Sequence, residues 1–114
     1  MKNRATTSTA ISLKLARAAR EMQPHVAQAA ELLKALANEQ RLLILCQLTQ
    51  GPLSVGEINA RVPLSQSALS QHLAVLREAE IVDTTREAQT VRYSLPPGVV
   101  TRLIDTLYEE FCKR

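Results

Sequence analysis

At 114 residues the chain has the length of one small domain, and a subunit partner would enlarge its core. It has no run of 18 apolar residues to span a membrane and no N-terminal apolar segment with a cleavage site. Its two widely separated cysteines do not make a disulfide framework, so the expected location is the reducing cytoplasm. The net charge of +3 is uneven: residues 1–20 carry five basic side chains and no acid, whereas residues 21–114 carry nine basic and eleven acidic ones. Bulk charge therefore cannot hold the globular part to a polyanion, and any DNA affinity must come from locally placed side chains.

Residues 1–22 read as a basic N-terminal arm, disordered or partly helical, with Ile11, Leu15, Ala18 and Met22 at helical spacing. Residues 23–114 read as the folded domain. Val26, Ala29, Ala30, Leu33, Leu36 and Ala37 form a helical stripe that stops near Asn38. Glu39 to Gln50 is apolar almost all round, which predicts a buried helix, ended by Gly51-Pro52. Ser54-Val55-Gly56-Glu57 is a capping box opening a short helix that ends before Pro63. Ser65 then caps a longer helix running to about Ala79. A short helix, a tight turn and a longer helix give helix-turn-helix spacing. Strands are expected at 81–86 and 90–95, the second from the alternation of Val91, Tyr93 and Leu95 with Thr90, Arg92 and Ser94. After Pro96-Pro97 a last helix carries Val100, Leu103, Ile104, Leu107, Tyr108 and Phe111 in one stripe.

The expected fold is mainly α with a small β-wing, a winged helix-turn-helix of order α-α-α-α-β-β-α. The first and last helices carry stripes that a lone core only partly covers, so a homodimer is expected. The exposed half of the helix after Ser65 is polar yet almost uncharged. Ser65, Gln66, Ser67, Ser70, Gln71 and His72 are candidate DNA contacts, since glutamine pairs bidentately with adenine and serine donates to base edges or phosphate. The plainer alternative is a solvated helix face. In the wing, Arg86, Gln89 and Arg92 are candidates for phosphate or minor-groove contact; the alternative is that they keep a hairpin soluble. Cys46 sits in the run Leu42-Leu43-Ile44-Leu45, where a free cysteine ordinarily acts as a small core hydrophobe. Cys112 borders the last apolar stripe beside Lys113 and Arg114, cations that favour the thiolate. No serine–histidine–acid, paired-carboxylate or phosphate-loop arrangement is visible, so an enzyme is not expected, and no cofactor is implied.

Leu32-Leu33-Lys34-Ala35-Leu36, Arg41-Leu42-Leu43-Ile44-Leu45, and above all Ser70-Gln71-His72-Leu73 with Leu76-Arg77-Glu78-Ala79, resemble the ArsR/SmtB family of bacterial repressors over about residues 30–95. The resemblance implies a dimer that binds operator DNA, an imperfect inverted repeat, and releases it when an inducer arrives. The metal ligands of the sensing branches are not rebuilt: Ser54-Val55-Gly56-Glu57 and Asp105-Thr106 stand at those places, and no histidine follows His72. Cys46 and Cys112 are instead similar in placement to the SqrR/BigR/HlyU branch, which implies a dithiol that senses persulfides and other reactive sulfur species. A peroxide- or metalloid-responsive repressor, and a winged-helix protein with inert cysteines, are the alternatives. The chain departs from the family at Glu80 and at the wing tip Glu87-Ala88-Gln89, where glycine is usual.

Overall fold

The computed structural model describes residues 4–112, and of residues 4–8 only the backbone. The chain divides into two units, one ending at Glu31 and one beginning at Leu32. In the first, helix α1 (Arg4–Met22) is followed by a 3-10 turn at Gln23–His25 that places Pro24 where a missing N–H costs nothing. Helix α2 (Val26–Leu36) then begins and runs into the second unit.

Asn38 stops α2 and starts α3 (Glu39–Leu48): its backbone is extended and its side chain accepts from the Arg41 N–H at 3.0 Å. α3 turns Ile44, Leu45 and Leu48 into the core. The strand β1 (Leu53–Ser54) follows, then α4 (Val55–Asn59), opened by the expected capping box. Ser54 N–H donates to Glu57 Oε1 at 2.9 Å, and Glu57 N–H donates to Ser54 Oγ at 3.2 Å. Helix α5 (Gln66–Glu78) starts where Ser65 Oγ accepts from the Ala68 N–H, 3.1 Å away. Leu69, Leu73 and Leu76 recur one and two turns apart and are almost wholly buried, whereas Ser70, Gln71 and Ala74 stay exposed. Each of those leucines contributes roughly 1.5–3 kcal/mol by leaving water.

Strands β2 (Asp83–Glu87) and β3 (Thr90–Ser94) form the wing hairpin, with Glu87 opposite Thr90 across the two-residue loop Ala88-Gln89. β1 adds to the free edge of β3, pairing Leu53 with Tyr93, so the sheet has three antiparallel strands in the order β1-β3-β2. The sequence predicts only two of them; a two-residue strand is too short to show an alternating pattern. The last helix α6 (Val99–Phe111) opens at Gly98, whose N–H donates to Thr101 Oγ1 at 2.9 Å. The core of the second unit draws on the end of α2, on α3, β1, α4, α5 and α6, and on the segment just before β2: Leu36, Leu45, Leu53, Ile58, Leu73, Ile81 and Val100 all belong to it.

Glu80 and Ala88 hold φ values of 61° and 54°. These are the two places where the chain lacks the glycine usual in the family it resembles. Glu80 closes α5 in a Schellman motif: its N–H donates to the Arg77 carbonyl and the Ile81 N–H to the Leu76 carbonyl, both at 2.9 Å. Ala88 takes the first position of the wing turn, which glycine favours. A Cβ in left-handed backbone costs about 1–2 kcal/mol. Glu80→Gly and Ala88→Gly are each expected to stabilise the domain, by about 0.5–1 kcal/mol once glycine's extra freedom in the unfolded chain is subtracted. Urea unfolding checks this: a lower midpoint for either variant would mean that the neighbouring packing, not φ, governs these turns.

Candidate nucleic-acid interface and thiol groove

The helix-turn-helix is fixed at its turn. Asn59 Nδ2 donates to the Leu64 carbonyl at 2.7 Å, tying the end of α4 to the residue before the Ser65 cap. With Leu69, Leu73 and Leu76 held in the core, Ser65, Gln66, Ser67, Ser70 and Gln71 all come out exposed on α5. The first turn of α5 holds no acidic residue, so the partial positive charge of its N-terminus is not offset there. His72 is half-buried, and Arg41 Nη1 lies 3.3 Å from its Nδ1.

In the wing Arg86 and Gln89 are exposed. Arg92 is engaged within the protein. Its Nη1 donates to Glu57 Oε1 at 2.9 Å and its Nε to Glu87 Oε1 at 3.1 Å. The guanidinium thus clasps the wing to α4, with the Nη2 donors left over. The bond from the Ser54 N–H, and then Arg92, hold the Glu57 carboxyl below its ordinary range. Arg92 is in turn held further up by the Glu87 and Glu57 carboxylates. Sequence reasoning missed Glu57, Asn59 and Arg41 as positioning groups. A cap residue, a loop-end asparagine and the one cation of an apolar helix were the available signals.

The cysteines are brought together. Cys46, on α3, and Cys112, just past α6, both line an open groove of about 670 Å³ between those elements. Its walls are mainly apolar, with Leu42 on one side and Ile104, Leu107, Tyr108 and Phe111 on the other; among the described residues Asp105 is its only charged lining residue. Both thiols are free and both residues are exposed. The exposure of Cys46 speaks against its plainer alternative, a core hydrophobe: α3 buries Ile44 and Leu45 and turns the next residue out. Partial burial, and then the negative charge of a Cys112 thiolate, push the Cys46 thiol up from its ordinary value. A thiolate close by disfavours ionisation of a neighbouring thiol, so this second cause reflects the nearness of Cys112 to Cys46. Lys113 and Arg114, expected to favour the Cys112 thiolate, lie outside the described residues. Among the described residues no three histidine, cysteine or acidic side chains cluster as a metal site, and no helix is long and apolar enough to cross a membrane.

The sequence pattern of the bacterial regulatory protein arsR family matches residues 38–84, from the α3 cap into the wing. The transcriptional activator HlyU of Vibrio cholerae is 53% identical over 93 residues, 82% of this chain and 86% of that protein. The biofilm growth-associated repressor of Agrobacterium fabrum is 48% identical over 80% of this chain and 78% of its own. The crystal structure of the transcriptional repressor BigR from Xylella fastidiosa superposes with a TM-score of 0.76 at 37% identity, covering 83% of this chain and 97% of that one.

Proposed function

The chain belongs to the arsR family of DNA-binding bacterial regulators, and from that premise we propose that it is a cytoplasmic repressor with a dithiol switch. As a homodimer it holds an inverted-repeat operator while Cys46 and Cys112 are reduced, and releases it when reactive sulfur species bridge them. The observation that carries this reading is the placement of both exposed thiols on one groove between α3 and α6.

The chemistry balances. One thiolate attacks the outer sulfur of a persulfide RS–SH, forming a protein persulfide and expelling RS⁻. The second thiolate attacks the inner sulfur, expels HS⁻ and leaves a disulfide. If both cysteines are first converted to persulfides, they condense to a trisulfide with loss of hydrogen sulfide. Packed helices lie about 8–10 Å apart, and a direct disulfide needs Cα atoms within about 7 Å, so a longer sulfur chain relieves strain. Either bridge ties α6 to α3 and changes the spacing of the two α5 helices in the dimer. The test is reversible release: the reduced protein binds operator DNA, glutathione persulfide releases it and a thiol reductant restores it. Unchanged binding by protein whose mass confirms a bridge would refute the switch.

For the DNA surface we propose Ser65, Gln66, Ser67, Ser70, Gln71 and His72 on α5, with Arg86, Gln89 and the remaining donors of Arg92 on the wing. Ser70→Ala and Gln71→Ala are expected to weaken operator binding, by roughly 1–3 kcal/mol where a bidentate base contact is lost, and to spare binding to unrelated DNA. Equal affinities across variants and wild type would remove α5 from the interface.

Exposed Leu107, Tyr108 and Phe111 on α6 support a dimer seam at this edge, and Ile11, Leu15 and Met22 support one on α1. Leu107→Lys would place an unpaired charge there and is expected to shift the protein toward monomer in sedimentation at micromolar concentration. A folded monomeric wild type under those conditions would overturn the dimer.

A further inference from the structure

Arg41 is the feature that the DNA and thiol readings leave unused. It stands on α3 and spans three helices. Its Nε donates to the Ala35 carbonyl at 2.6 Å and its Nη2 to the Lys34 carbonyl at 3.3 Å, both in the last turn of α2. Its Nη1 faces His72 Nδ1, on α5, at 3.3 Å. A guanidinium has five N–H donors, no acceptor, and never gives up its proton in a protein. The bond therefore runs one way only: Nδ1 must be the bare, accepting nitrogen. The neutral ring then carries its proton on Nε2, which has no hydrogen-bond partner among the described residues.

We infer that Arg41 is a positioning residue for DNA recognition, holding His72 in the Nε2–H tautomer so that α5 offers one directed, uncharged donor to a phosphate oxygen. The two α2 carbonyls fix the guanidinium, and the guanidinium fixes the ring. Lysine cannot substitute, because one ammonium lacks the fork that reaches two carbonyls and an imidazole together. The inference rests on the reading of α5 as the DNA-facing helix.

The test uses the full chain in a His25→Gln background, with 15N-labelled histidine and a pH well above the usual histidine range. Without DNA, the Nδ1 signal of His72 is expected to be that of a bare nitrogen and the Nε2 signal that of a protonated one. Arg41→Lys and Arg41→Gln should both give a mixture of tautomers. Operator affinity should fall roughly three- to tenfold in Arg41→Gln, the worth of one neutral hydrogen bond, with an unchanged salt slope. His72→Gln places an amide N–H near the Nε2 position and needs no tautomer, so it should keep most of the affinity and should rescue Arg41→Gln. His72→Asn, whose amide ends near Nδ1, should lose it. The histidine variants leave the α2 carbonyl bonds intact, so they remain informative if Arg41→Gln folds poorly.

A fall of about 0.9 in the salt slope of Arg41→Gln would overturn the inference, because Arg41 would then touch phosphate itself. An unmoved tautomer, or His72→Asn binding as tightly as wild type, would overturn it equally. If Ser70→Ala and Gln71→Ala are also silent, the assignment of α5 to DNA has failed and the inference falls with it. If those two weaken binding while His72→Asn does not, the assignment stands and only the inference is lost.

Discussion

Cys46→Ser and Cys112→Ser, each alone, are expected to bind operator DNA like the reduced wild type and to keep it after persulfide treatment. One thiol can become a persulfide but cannot close an intrachain bridge. In the wild type, closure is expected to lower operator affinity by about 5–150-fold, the range of a coupling of 1–3 kcal/mol. Mass spectrometry of the released protein should find two thiol protons lost, with or without added sulfur between the cysteines. Hydrogen peroxide should act more weakly, because only a sulfur donor can lengthen the bridge across the groove. The thiol held up by burial and by its neighbour also sets a pH dependence. A raised pKa means less Cys46 thiolate at neutral pH; burial alone persists in the Cys112→Ser variant, so alkylation of Cys46 there should still be slower at neutral pH than that of a free thiol and should accelerate as pH rises. Normal release by either single variant, or loss of DNA by a wild type that keeps two free thiols, would sink the switch.

The largest stability effect is expected on the buried face of α5. Leu73 is 1% exposed and lies between Leu69 and Leu76 in the core. Leu73→Ala removes three carbons from a buried apolar site and is expected to cost about 2–5 kcal/mol. That is a large fraction of the roughly 5–15 kcal/mol that holds an ordinary domain folded. Val75, on the same helix but 41% exposed, serves as the control, with a change of about 0.5 kcal/mol or less on substitution by alanine. Urea unfolding reads both, as a shifted midpoint at constant slope. A Leu73 effect no larger than the Val75 effect would contradict the packing described for α5.

What the sequence discloses is what neighbouring residues decide among themselves. Ser65 before a stripe of Leu69, Leu73 and Leu76 specifies the start, the period and the buried face of α5. Ser54 and Glu57 specify the start of α4 in the same way. The missing glycines at Glu80 and in the wing loop can be seen as departures, and the structure puts left-handed backbone at both. The rest depends on partners distant along the chain. Arg92 and Glu57 are 35 residues apart, and Arg41 and His72 are 31 apart; no periodicity relates them. The exposure of Cys46 was hidden for a related reason. An apolar run cannot tell which of its positions a later helix will cover, and α6 meets α3 there as the wall of a groove.

One oxygen atom has consequences beyond its own bonds. Glu57 Oε1 accepts from the Ser54 N–H and from Arg92 Nη1, each at 2.9 Å. The start of α4 and the middle of the wing are therefore joined at a single point, and the turn after α4 leads into α5. In the proposed dimer, a displaced half-site is then expected to draw helix-turn-helix and wing along together. One base pair inserted between operator halves swings the second half by about a tenth of a helical turn, and the whole subunit must swing with it. The tolerance of such a dimer for imperfectly spaced operators is then expected to be set at the seam between subunits, far from the side chains proposed to touch a base.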